Sequence, residues 1–184
     1  RAELRPGDVV NLAAGSVLKG PLVIEASGEP GKPLVVQGYG QGPKPLILAD
    51  GDWSAAVVVK GSWVLVSEIA VRDAHHVGIK IEEGADHNVI RDCEVSEVGI
   101  GVGVYGQHNL ITHNFIHDLK MVVNTPGGDD DFGAVGIWIG RRLLRPLGRI
   151  AAAAEAIAAG NLTTRVNVQR DPDDPHGRIV SGLA

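Results

Sequence analysis

Residues His87 to Val95 read His-Asn-Val-Ile-Arg-Asp-Cys-Glu-Val, and 21 residues later His108 to Ile116 read His-Asn-Leu-Ile-Thr-His-Asn-Phe-Ile. One structural unit is written twice. Repetition at about 20 to 50 residues marks a solenoid, in which each unit buries its apolar face only against its neighbours. Around these copies the element Gly-Ile/Val-x-Ile/Val recurs at Val77 to Ile81, Ile100 to Val104 and Val135 to Ile139. The first two copies are 23 residues apart and the last two 35 apart, so about a dozen extra residues, roughly Met121 to Phe132, bulge between units. Such insertions fall on one face of a solenoid, often the binding face.

Earlier in the chain the apolar residues come in short, β-branched runs: Val9-Val10, Leu22 to Ile24, Leu34 to Val36, Leu46 to Leu48, Val57 to Val59 and Val64 to Val66. They are too short for helices and are bounded by Gly/Pro segments at Gly28 to Pro33 and Gly38 to Pro45. With 25 glycines and 44% apolar residues, the 184-residue chain turns often and has enough apolar content for a packed core. The expected fold is mainly β, a short right-handed parallel β-helix of about five rungs, with a C-terminal α-helical segment. Strands one rung apart lie about 4.8 Å from each other. Asn88 then sits over Asn109 as a structural ladder, and His87 stacks over His108 at a turn.

After Gly140 the composition changes. Arg141 to Ala159 contains seven alanines in the nine positions from Ala151, and Leu143, Leu147, Ile150, Ala154, Ile157 and Asn161 follow a 4-3-4-3-4 seam. Residues 1 to 139 hold 10 basic and 18 acidic side chains, whereas 140 to 184 hold 7 and 4, all the basic ones arginine. Two domains are therefore expected, 1-140 and 141-184. The net charge of -5 argues against a nucleic-acid partner. The chain contains no run of 18 apolar residues and so no membrane span. It begins with Arg1, which suggests a fragment or a processed chain.

The first 139 residues resemble the right-handed parallel β-helix proteins of the pectate-lyase-like group. The resemblance is carried by Asn88-Val-Ile, Asn109-Leu-Ile, the Gly-Ile/Val-x-Ile/Val strands and His113-Asn-Phe-Ile-His-Asp-Leu119. It implies an extracytoplasmic or secreted domain that binds or processes a polysaccharide. An active member would be a polysaccharide lyase or a glycoside hydrolase-like enzyme. Lyases of that group use a basic residue to remove a proton beside a uronic acid, often with calcium. Lys80, Arg91 and Lys120 are the basic groups near the repeats, and no motif selects among them. From Arg141 the chain resembles a HAMP signalling linker, through Arg142-Leu-Leu-Arg-Pro-Leu147, Ala159-Gly-Asn-Leu162 and Thr164-Arg-Val166. That implies a helix, a connector and a truncated second helix, a homodimer through residues 141-160 and a membrane-associated parent. The alternative function is a fragment of a membrane signal-transduction protein in which the β-helix is a sensor or an accidental fusion partner.

Candidate chemistry gathers at His113, His117, Asp118 and Lys120 for substrate, and at Asp129, Asp130 and Asp131 for a metal. Carboxylates on a glycine-rich loop suit calcium, and His with Asp suits proton transfer. The bland reading of the same residues is a solvated loop beside turn histidines. Gly101 to Gly106 spells a dinucleotide fingerprint but opens no helix, and is set aside. Asn161-Leu-Thr163 spells a glycosylation acceptor, which in a HAMP-like connector is coincidence. Cys93 occupies the position of Asn114 and is expected to be a small buried residue. The repeat also predicts a further rung after Ile139, with a third Asn-x-Ile unit about 20 residues past Asp131, and none appears.

Overall fold

The computed structural model describes residues 3–49, 55–122 and 132–140. The C-terminal segment 141–184 and the loop aspartates Asp129, Asp130 and Asp131 lie outside these residues. Arg1–Gly140 is one compact unit, built as a three-sided parallel β-helix.

Each turn of the chain contributes one short strand to each of three sheets. Sheet A holds β1 (Val9–Ala13), β4 (Leu34–Tyr39), β7 (Val64–Ser67), β10 (Val89–Arg91) and β13 (Leu110–Thr112). Sheet B holds β2 (Val17–Lys19), β5 (Leu46–Leu48), β8 (Ala70–Arg72), β11 (Glu94–Ser96) and β14 (Phe115–His117). Sheet C holds β3 (Leu22–Ile24), β6 (Val57–Val59), β9 (Val77–Ile81), β12 (Ile100–Val104) and β17 (Val135–Ile139). Five rungs result, as the repeats predict. The insertion before β17 opens as a hairpin base, β15 (Met121–Val122) pairing antiparallel with β16 (Phe132–Gly133).

Period-2 alternation decides what each strand buries. In sheet A the column Val10–Val36–Val66–Ile90–Ile111 points inward, while Val9, Val35, Leu65, Val89 and Leu110 stack outward. Sheet B sends in Leu18–Ile47–Val71–Val95–Ile116, and sheet C sends in Leu22–Val57–Ile79–Val102. These columns meet in one apolar core that runs the length of the helix. Each fully buried Val or Ile contributes roughly 1.5–3 kcal/mol.

Short corners between sheets put their residues in the left-handed region, and these residues also form columns. Trp63, His87 and His108 stand before sheet A, Glu68, Asp92 and His113 between sheets A and B, and Asp73, Glu97 and Asp118 between sheets B and C, with φ from 48 to 61°. The rings of the first column stack, Trp63 on His87 at 4.4 Å and His87 on His108 at 4.9 Å. A bulky residue with positive φ costs about 1–2 kcal/mol, and each aromatic stack returns roughly 0.5–1.5 kcal/mol. With three such residues and two stacks, the stacking offsets about half of that cost.

The Asn ladder is present in a more specific form than side chain on side chain. Asn88 Oδ1 accepts the Val64 amide at 2.8 Å, and Asn109 Oδ1 accepts the Asn88 amide at 2.8 Å. Each carboxamide therefore satisfies a backbone donor one rung earlier. At the next corner Asn114 Oδ1 accepts the Cys93 amide at 2.9 Å, and Asn114 Nδ2 donates to the Ile90 carbonyl at 2.9 Å. Cys93 occupies the corresponding place one rung back, its Sγ 3.8 Å from the Val66 carbonyl, and Val66 is the register partner of Ile90. Burial pushes its thiol up to about 11.

Asn88→Ala would strand the buried Val64 amide, and we expect a loss of about 1–3 kcal/mol in urea unfolding. Asn109→Ala removes two bonds, to the Asn88 amide and from Asn109 Nδ2 to the Ala85 carbonyl, and should cost a similar amount. No loss at either position would refute the ladder as a source of stability.

Candidate functional site

Three outer faces are available, and they differ in chemistry. Sheet C carries the column Val23–Val58–Lys80–Gly103–Trp138 on its outside. Lys80 sits at the centre, its Nζ 2.9 Å from Glu82 Oε1 and 5.4 Å from the centroid of the Tyr105 ring. Tyr105 lies back over the sheet because positions 103 and 140 are glycine. A Cβ on Gly103 would stand 3.3 Å from Tyr105 Cε2, and one on Gly140 2.7 Å from Cδ1. Trp138 continues this face and is 46% exposed.

On the other side of Lys80 is a cavity of about 330 Å³ that also receives Val58, Lys60, His76 and Glu82. His76 comes from the corner between β8 and β9 and is half-buried. Burial, then the Lys80 ammonium, then His75 hold its imidazole below the ordinary histidine pKa. It is therefore mostly neutral near pH 7 and able to accept a proton. A neutral imidazole, an ammonium and a phenol thus share one face of adjacent rungs. The sequence pointed to Lys80 as one of three basic groups and to His76 only as a turn histidine, and assigned no role to Tyr105. The signal for Tyr105 was its place one residue past a Gly-x-Gly strand, where a large side chain has room to fold back.

The four substrate candidates lie at or beside two successive corners, those before and after β14. His113 stands at the corner between sheets A and B, its Nδ1 2.7 Å from Thr112 Oγ1, and lines a groove on sheet A. His117 closes β14, with Nδ1 2.8 Å from Asp118 Oδ2 and Nε2 3.6 Å from Glu94 Oε1. Lys120 Nζ bridges Glu97 at 3.3 Å and Asp73 at 3.8 Å, and the three line a cavity of about 300 Å³ with His75. His75 and His76 are adjacent in sequence and line different cavities, so the Lys120 corner adjoins the Lys80 face. Among the described residues, no group of three or more His, Cys, Asp or Glu is placed to hold a metal ion. Among them, too, no helix is long and apolar enough to cross a membrane.

The described architecture has a counterpart among solved structures. The crystal structure of an alginate lyase from Paenibacillus sp. str. FPU-7 superposes with a TM-score of 0.63 at 21% identity, covering 74% of this chain and 44% of that one. The chain therefore spans less than half the length of that lyase, and the likeness establishes the parallel β-helix fold. Residues 138–174 match the HAMP domain family. Among curated proteins none matches the chain.

The depressed His76 pKa has two measurable consequences. Lys80→Met should move the imidazole resonance titration upward but not fully to the ordinary value, because burial, the larger cause, remains; an unchanged titration would separate the two residues. Protons bind the unfolded state more readily than the native one here. Stability from this site is therefore intact above about pH 6.5 and falls as pH drops below it.

Proposed function

We propose that residues 1–140 are an extracytoplasmic, right-handed β-helix that binds an acidic polysaccharide along sheet C and cleaves it by β-elimination. The right-handed winding is the ordinary hand of parallel crossovers. One observation carries the reading: an imidazole and an ammonium line one cavity on the outside of sheet C, and the ammonium lies over a phenol one rung on. The fold of a polysaccharide lyase supports it.

The chemistry follows from the groups. Lys80 pairs with a uronate carboxylate and withdraws charge from the carbon beside it. His76 takes the proton from that carbon, C5. The electron pair forms the C4–C5 double bond as the C4–O4 glycosidic bond breaks, and the departing oxygen takes a proton from the Tyr105 hydroxyl. Positioned proton transfers of this kind typically contribute 10²–10⁴-fold. Asp118 and Lys120, at the adjoining corner, with His117 beside them, are proposed to hold neighbouring sugars, and His113 to contact sugar on sheet A. Calcium on Asp129, Asp130 and Asp131 is proposed from sequence, and no step above passes through it.

A second reading rests on the HAMP match at 138–174. In it the parent is a membrane-associated signalling protein, a homodimer through residues 141-160, and the β-helix is its glycan sensor.

Incubation with polygalacturonate or alginate should yield unsaturated ends, followed by ultraviolet absorbance. His76→Ala and Tyr105→Phe should each lower the rate by about 10²-fold or more, while Lys80→Ala should weaken substrate binding as well. Binding without product would retain the sensor reading and remove the enzyme. Neither binding nor product would remove both.

A further inference from the structure

Sheet A presents a second groove, of about 780 Å³, on a different side of the helix from Lys80. Its floor is the outward column Leu65, Val89 and Leu110, one apolar side chain per rung. One rim is formed by the rings of Trp63 and His87, extended in the stack by His108; the other is formed by Arg91, Asp92 and His113. We propose that this groove binds an uncharged, hydroxyl-rich pyranose chain laid across the rungs.

Several observations converge on that occupant. At this corner column rings occupy the left-handed position over three rungs, where the other two columns carry mainly Glu and Asp, and their stacked faces line one rim of the groove. Arg91 Nε lies 3.7 Å from Asp92 Oδ2, so the far rim is charge-paired. Hydroxyl groups find both donors and acceptors along that rim. The floor strands β7 and β10 are each hydrogen-bonded on both sides, so an added peptide strand would find open backbone only beside β13, the last strand of the sheet. Rungs repeat every ~4.8 Å, close to the advance of one sugar in an extended pyranose chain. Each sugar can thus set its C–H face on one of Leu65, Val89 and Leu110 while its edge meets a ring of the Trp63–His87–His108 stack.

The groove shares His113 with the acidic-glycan reading but none of Lys80, His76 and Tyr105, and the full chain can test it in native gels cast with a soluble β-1,4-glucan, a β-1,4-mannan or polygalacturonate. The wild type should be retarded by at least one neutral polymer. Leu110→Ser alters a side chain that is already 55% exposed, so the fold should persist by circular dichroism, yet the affinity should fall fivefold or more. His87→Ala should do the same, and Lys80→Ala should leave neutral-glycan retardation unchanged. The proposal is overturned if neutral polymers never retard the protein, if Leu110→Ser binds as the wild type does, or if polygalacturonate alone retards it. It is equally overturned if Leu110→Ser instead abolishes self-association in sedimentation, since a second copy would then be the occupant.

Discussion

Everything in residues 1–140 depends on register between rungs. A parallel stack places each side chain over its equivalent one turn away, so a single choice at one position is multiplied along the axis. Slipping one residue would turn the Val66–Ile90–Ile111 column outward and bring Leu65–Val89–Leu110 in. Register is therefore pinned at the corners as well as in the core. Asn88, Asn109 and Asn114 each tie a backbone amide of the preceding rung to their own, and they do so only when rungs align.

The same multiplication generates surfaces. A column of outward residues becomes a row, and a row is what a linear polymer meets. Sheet C turns Lys80 and Tyr105, with His76 at its edge, into a face suited to a negatively charged chain whose proton must move. Sheet A turns three apolar residues and three flat rings into a face suited to an uncharged one. The two chemistries coexist because they lie on different sides of one core, which neither has to disturb.

Much of the fold was legible in the sequence because the last rungs are the most regular. Stacking of Val9, Val35, Leu65, Val89 and Leu110 gives rung lengths of 26, 30, 24 and 21 residues, so only the later turns are short enough for the His-Asn motif to repeat in register. Strands such as Val17–Lys19 were invisible for the opposite reason: three residues among glycines and prolines carry no periodicity. The His87–His108 stack and the Cys93–Asn114 equivalence could be read directly, since both are consequences of a 21-residue step. The candidate sites were harder. His113 and the His117–Asp118 pair are close in sequence but stand at two different corners, while Tyr105, 25 residues from Lys80, reaches it only through the winding, and His76 shares a cavity with Lys80.

The most direct test of the account is a crystal structure of the full chain bound to an oligouronate. The account predicts sugars running along the rung-stacking axis over sheet C, with a carboxylate at Lys80 Nζ and a C5 atom facing His76. An oligosaccharide seated on another face, or lying along a single rung with Lys80 still paired only to Glu82, would contradict it.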